Sequence, residues 1–466
     1  MRHPLDDALG AAFPPGTVFA VGGRVRDELR AAASGTPVPP KDLDYVVVGL
    51  AQDEVEARLR ALGSVDVVGA SFAVLKFRNA QGSADVALPR RERSTGAAHR
   101  AFAVESGPEI PLEDDLRRRD FRMNMIARRI DDDAIVDPYG GLADIRAGRI
   151  DIVDEATFRD DPLRMLRASQ FAARFDFLPS ERTVAAMTEA AVLVSTVSAE
   201  RIGDEIGKLL TASRPSVGIE LLRTTGVLAH FWPELLEGVG VDQNDWHAYD
   251  VYRHALETVD ASPPDDPLVR LAALLHDVGK PRTAAPRPDG RGNTFYAHEV
   301  VGAEMVPAML ARLRSSTETV ETVTQLVRHH MYAADCEQAP KTVRRFVRRV
   351  GPQRLARLFA LRRADVIGSG LPERDGGNNR RFEAHVASVL AERPPLGTHE
   401  LAIGGDAVIA LLQARGLADA SFRGDARVGA ILGALVEEVL DDPSRNEAGF
   451  LVAVANRYVD EHFVRP

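Results

Sequence analysis

Cysteine is almost absent. Cys336 is the only one in 466 residues, which excludes an internal disulfide framework and fits a reducing cytoplasm. Long apolar runs are missing too. None approaches the roughly 20 residues of a membrane-spanning helix, so no membrane partner is expected. The N-terminal MRHPLDDALG carries acids and no apolar stretch where an export signal would have one, so the expected location is cytoplasmic. Positive charge is not in excess. A net charge of −10 does not suggest a general nucleic-acid binder, and no DNA partner is expected. Two stretches are nevertheless locally basic: LRRRDFRMNMIARR (116–129) and TVRRFVRRVGPQRLARLFALRR (342–363). The second reads either as a solvated helix face or as a surface for an RNA backbone. Repeats and low-complexity segments are lacking. What remains is a globular composition, 45% hydrophobic and 27% charged, in a chain too long for one core, so two to four domains are expected.

The first 150 or so residues mix short β-rich runs (VFAVGG, DYVVVG, FAVLKF, ADVAL) with helical stretches such as DEVEARLRAL. From Phe158 onward apolar residues recur at helical spacing and strands largely disappear. Breaker-rich candidate hinges lie at 140–150, 262–267, 286–293 and 371–379. The expected division is 1–150, 151–245, 246–370 and 371–466.

In KDLDYVVVG, Asp42 and Asp44 precede an apolar run. Strand side chains alternate, so both carboxylates point the same way and repel. Either they are exposed at a strand end, or a divalent cation such as Mg²⁺ sits between them, with phosphate oxygens completing its shell. Upstream, VFAVGGRVRDEL runs from a strand through Gly22-Gly23 into a helix. Such a turn lets backbone N–H groups approach a phosphate, with Arg24 and Arg26 adding positive charge.

VGGRVRDEL followed by KDLDYVVVG resembles the signature of the class II nucleotidyltransferases, the bacterial CCA-adding enzymes and their poly(A) polymerase relatives. LEDDLRRRDFRMNMIA (112–127), DPYGGLADI (137–145), FRDDPLRMLRASQFAARF (158–175) and SAERIGDEIGKLL (198–210) resemble further motifs in the family's order, through about the first half of the chain. The resemblance implies an α+β protein: a mixed-sheet, polymerase-beta-like head, then an all-α neck and body. It implies attack of a tRNA 3′ hydroxyl on the α-phosphate of CTP or ATP, with departure of pyrophosphate, at a two-metal site. Asp42 and Asp44 would hold Mg²⁺, with Asp85 of ADVALPR as a third carboxylate; a surface acid is the alternative for Asp85. Gly22, Gly23 and Arg26 would hold the triphosphate, and Arg119 would contact the nucleotide, leaving Arg117 and Arg118 as a solvated charge run. Asp161 and Arg164, three apart, are expected on one helix face. A carboxylate accepts from an exocyclic amine and a guanidinium donates to a ring acceptor, so the pair would accept C and A and reject U and G. Asp161 before Pro162 also reads as a helix cap. Arg167 continues the face toward phosphate or sugar. Gln170 stands where the family has arginine, and Asp160 where it has glutamate. The polar segment 87–102 resembles the family's flexible loop, which favours the complete C-C-A activity over partial addition.

In the helical half, His254, His276-Asp277, His298, His329 or His330, and Asp365 fall in a metal-ligating order around LLHDVGKPRT. This resembles the HD phosphohydrolase domain and implies a divalent transition metal or Mn²⁺ site, with phosphodiesterase or phosphatase chemistry, or else an HD fold kept as a tRNA-holding body. Two other readings stay open: a poly(A) polymerase on the same head, disfavoured by an ending in DEHFVRP without a basic tail, and an HD phosphohydrolase whose head only binds RNA.

Overall fold

The structure, a computed structural model, describes residues 2–35, 42–68, 74–94 and 102–464. Its contacts divide the chain into two compact units, Met1–Leu236 with Arg312–Ser315, and Glu237–Ala311 with Ser316–Pro466.

The first unit is built on a mixed seven-stranded sheet. Its strands are β1 (Val18–Val21), β2 (Asp44–Val47), β3 (Ser64–Val68), β4 (Val74–Asn79), β5 (Gly82–Ala87), β8 (Ala127–Arg129) and β9 (Ile135–Val136), in the order β3-β4-β5-β2-β1-β8-β9. A separate hairpin, β6 (Arg90–Ser94) and β7 (Phe102–Ser106), lies between β5 and β8 in the chain. Only β2 and β5 pair in parallel; the other ladders of the large sheet are antiparallel. The central strands read as continuous apolar runs because both faces are covered. Val21 pairs with Asp44 and Phe19 with Val46, so these four side chains share a face. That face packs on Leu112 and Leu116 of the helix Leu112–Arg117. On the opposite face, Tyr45 meets the N-terminal helix Pro4–Ala12 through a fully buried carboxylate, Asp6. Tyr45 Oη donates to Asp6 Oδ1 at 2.6 Å, and Arg24 binds both Asp6 oxygens, Nη1 to Oδ1 at 2.9 Å and Nη2 to Oδ2 at 2.6 Å. Arg128 adds a third donor at 3.1 Å. Arg24 is therefore spent behind the sheet and is not the phosphate contact expected from its place after Gly22-Gly23.

The stretch 140–150, expected as a hinge, forms the helix Gly141–Ala147 and the strand Arg149–Ile150. Beyond it, the helix Leu163–Phe175 packs on Ala199–Leu210 and Pro215–Thr224.

The second unit is helical apart from the two-residue strands of 285–286 and 293–294. Val251–Ala261, Pro267–Leu275, Thr317–His329 and Leu355–Gly368 form one packed group. Gly405–Ala414, Ala426–Asp441 and Ala448–His462 enclose another core around Leu435 and Leu451. No helix among the described residues is long and apolar enough to cross a membrane.

Candidate active site and metal centre

Gly22 ends β1 with φ +75° and ψ −145°, a conformation closed to residues with a Cβ. A Cβ there would stand 3.2 Å from Arg119 Nη1 and 3.3 Å from Asp44 Oδ2. The turn thus brings backbone to within van der Waals reach of both a carboxylate and a guanidinium. It borders a cavity of about 830 Å³ whose walls include Gly22, Gly23, Arg26, Asp42, Asp44, Arg119, Asp161, Arg164, Arg167 and Gln170. β2 begins at Asp44, with Asp42 just ahead of it and buried Leu43 between, so the alternation expected from the sequence holds. Asp85 stands opposite Asp44 in the parallel β2–β5 ladder, on the same face, with Lys76 Nζ 3.9 Å from its Oδ1. Burial raises the pKa of Asp44, Arg119 opposes this, and Asp85 and Asp42 push it further up. Lys76 and Arg119 offset only part of the charge on these three carboxylates, and the Asp44 pKa stays raised; such oxygen-only ligands suit a hard divalent cation.

The far wall is cationic and braced. Arg26 donates to Asn124 Oδ1 at 2.8 Å and lies over the Phe171 and Phe175 rings. Asn124 donates to Asp120 Oδ1 at 2.7 Å, and Arg167 donates to Asp120 Oδ2 at 2.8 Å. Burial would protonate Asp120, but Arg167 and Asn124 outweigh it and hold its carboxyl below the ordinary range. Gln170 is buried beside Phe171 on the same helix. Arg164 Nη2 donates to the Arg118 carbonyl at 2.6 Å.

Two expectations need correction. Asp161 and Arg164 do not share a helix face: Asp161 is extended (φ −141°, ψ 99°), and the helix begins at Leu163. Asp161 Oδ1 accepts from Leu163 N at 3.2 Å, so it does cap the helix, yet it also lines the cavity. The two readings of this residue are compatible because a carboxylate has lone pairs for both. Arg118 is not part of a solvated run. It lines the cavity and pairs with buried Asp115 at 2.9 Å. The polar segment 87–102 holds strand β6 and only the first residue of β7, Phe102, and residues 95–101 between the strands lie outside the described residues. Asp120, Asn124, Arg174, Arg201 and Lys208 line the cavity without having been singled out. Asp120, an acid directly after three arginines with Asn124 four residues on, was the signal available.

In the second unit a cluster of imidazoles surrounds Asp277. His254 Nε2 and His276 Nε2 lie 3.3 and 3.1 Å from Asp277 Oδ2, and His254 Nε2 lies 3.1 Å from Asp365 Oδ1. On the other side, His298 Nε2 and His330 Nε2 lie 3.2 and 3.6 Å from Asp277 Oδ1. His276, His298 and His330 sit with Nδ1 at 2.8, 2.7 and 2.7 Å from backbone carbonyls. Those contacts place the ring proton on Nδ1 and turn the Nε2 lone pairs inward. His254 Nε2 and His276 Nε2 then face each other at 3.1 Å, and His298 Nε2 and His330 Nε2 at 3.2 Å. These Nε2 atoms and the oxygens of Asp277 and Asp365 converge as a mixed nitrogen and oxygen donor set that fits metal ions. Burial favours protonated Asp277, but His276 and Lys280 hold it well below the ordinary carboxylate range. Of the two adjacent histidines offered by the sequence, His330 joins the cluster. His329, at the end of the helix Thr317–His329, lines a different cavity. His247, 4.7 Å from the His254 ring centroid, and Lys280, 2.6 Å from Asp277, were not foreseen as members.

Three family models match: the poly A polymerase head domain over residues 18–151, a probable RNA and SrmB-binding site of polymerase A over 176–238, and the HD domain over 245–368. The multifunctional CCA protein of Ralstonia nicotianae is 37% identical over 379 residues, 77% of this chain and 83% of the relative. The chain belongs to the tRNA nucleotidyltransferase and poly(A) polymerase family. A second member of the family, the A-adding tRNA nucleotidyltransferase of Deinococcus radiodurans, is 34% identical over 91% of this chain and 92% of its own. The fold of the family is shared with the Bacillus stearothermophilus CCA-adding enzyme solved with CTP, at TM-score 0.66 and 21% identity over 96% of this chain and 95% of that one. The Thermotoga maritima CCA-adding enzyme complexed with tRNA has TM-score 0.56 and 20% identity over 95% and 91%. The α+β class, a mixed-sheet head followed by helices with an HD domain, is the class read from the sequence.

Proposed function

We propose that the chain adds C, C and A from CTP and ATP to the 3′ end of tRNA without a nucleic-acid template, releasing pyrophosphate. The observation that carries this reading is the register Asp44–Asp85 at the border of a cavity walled by Gly22, Gly23 and arginines. Asp42, Asp44 and Asp85 are the proposed Mg²⁺ ligands. A bound divalent cation supplies Lewis acidity at the attacking and leaving oxygens. The amides of the Gly22-Gly23 turn and Arg26 receive the triphosphate, which Asn124 and the aromatic pair hold Arg26 in place to do. Arg119, held to Asp115 at 3.1 Å, faces the nucleotide and offsets charge at Asp44. Asp161 accepts from the base's amine and Arg164 donates to its ring acceptor, while Arg167, braced by Asp120, serves sugar or phosphate. Gln170 takes the family's arginine position without its charge.

The HD cluster is proposed to hold divalent transition metal on His254, His276, Asp277 and Asp365, with His298 and His330 on the other Asp277 oxygen, and to hydrolyse phosphate esters. The proposed location is the cytoplasm. The coverage of the A-adding D. radiodurans relative favours a second reading, addition of A alone to a tRNA that already ends in CC. Purified protein given tRNA lacking its 3′ end, or tRNA ending in CC, with one nucleotide at a time separates them. The complete enzyme extends the first substrate by C-C-A; the A-adding enzyme extends only the second; an A-tract or no extension on either substrate overturns the reading.

A further inference from the structure

The basic run 342–363 is spent almost entirely inside the second unit. Arg344 donates to the carbonyls of Leu440 and Asp441 at 2.7 and 2.9 Å, and Arg345 and Arg348 each reach Glu437 at 2.9 Å. Arg354 pairs with Glu321, Arg357 with Asp266 at 2.8 Å, and Arg362 and Arg363 with Asp365 and Glu383 at 2.6 Å each. Arg349 is the exception: among the described residues it has neither a carbonyl nor a carboxylate partner. It lines a cavity of about 290 Å³ together with Arg328, which likewise has none, and His329. Tyr332 and Phe346, with ring centroids 5.3 Å apart, form the apolar side. One carboxylate, Glu299, lines the cavity, and its Oε2 leans to within 3.7 Å of His298 Nδ1.

In a unit that otherwise neutralises the arginines of this run, two unpaired guanidinium groups on one concave wall are a concentration of uncompensated charge. A planar five-donor fork matches phosphate oxygens, and an imidazole on the same wall offers a further N–H donor. The volume lies at the low end of small-molecule cavities, enough for one phosphorylated group and not for an enclosed strand. We propose that this cavity is a phosphate-binding site, with Arg328 and Arg349 as its cationic fork and His329 on its wall, taking the phosphate of a nucleotide or one phosphate of an RNA strand. None of the Asp277 cluster lines it, and the site depends neither on the transfer reaction nor on the hydrolytic one.

The test is phenylglyoxal labelling of the full chain in phosphate-free buffer, with modification at Arg328 and Arg349 followed by peptide mass spectrometry. Inorganic phosphate, AMP, adenosine and tRNA are the probes. Phosphate and AMP are expected to slow modification of both arginines by 1 + [L]/Kd, about five-fold at four times Kd, and adenosine is not. Protection by tRNA alone supports the same chemistry and assigns its source to an RNA strand. Arg349→Glu is expected to abolish protection of Arg328. Equal rates with and without every phosphate-bearing probe overturn the proposal, as does protection of Arg328 that survives in Arg349→Glu.

Discussion

Asp42 and Asp44 of the head border a wide cavity, Asp85 stands opposite Asp44 in the ladder, and the three bring only oxygens, with no further metal-ligating side chain gathered beside them among the described residues. Asp277 and Asp365 of the second unit are sealed among imidazoles whose Nε2 atoms point inward. An ion held by the first arrangement, as proposed, would keep coordination positions for the oxygens of an arriving phosphate and would come and go with substrate. The second supplies a nearly complete shell from the protein and suits a resident ion of softer ligand preference. The HD domain therefore does not merely repeat the head's chemistry on a helical frame; it differs in donor type, access and dependence on substrate.

Substitution at each centre should break that contrast in opposite directions. Asp44→Ala is expected to lower nucleotide incorporation by about 10³-fold, the scale of losing an electrostatic stabiliser of the transition state. Metal that co-purifies with the protein, measured by plasma mass spectrometry, should stay unchanged. Asp277→Ala should empty the co-purifying metal and leave incorporation intact. Loss of both properties in either variant would erase the distinction.

A next test separates the head's open front from its buried back. Asp6→Asn leaves Arg24 and Arg128 without their shared anion and should cost about 3–5 kcal/mol in urea unfolding at pH 7. Burial pushes the Asp6 pKa up, but the hydrogen bonds from Arg24 and Tyr45 outweigh it, so the folded value lies below the ordinary range. The wild-type advantage is thus fully present above about pH 4 and shrinks as pH falls toward the folded value. A gap that widens in acid would contradict the assignment.

Arg164→Ala should have the smallest effect, a relaxation of C and A over U and G by about tenfold, the scale of one hydrogen bond to a charged group. Competition between CTP and UTP on one tRNA reads it. Unchanged preference would leave Asp161 as a cap alone.

Asp42 and Asp44 were legible because a strand alternates its side chains whatever it pairs with. The partnership of Asp85 was not, since it depends on the chain passing from β2 to β3 at the sheet edge and returning through β4 so that β5 lies beside β2. Arg24 and Arg26 look alike in the chain, yet only the fold shows that one turns to Asp6 behind the sheet and the other to Asn124 in front. The basic stretch 342–363 left two alternatives because its partners, Glu437, Asp441, Glu321 and Asp266, are distant in sequence. Residues named by a short motif, such as His276-Asp277, survived translation into three dimensions. The choice between His329 and His330 required the direction of a helix end.

Asp120 grips Arg167 with one oxygen and, through Asn124 on the other, steadies Arg26. The element proposed to inspect the base and the turn proposed to cradle the triphosphate are thereby coupled like two jaws on one pivot. A poorly seated base would tilt the reactive phosphorus out of line with the incoming hydroxyl, so fidelity at one end of the nucleotide is enforced as geometry at the other.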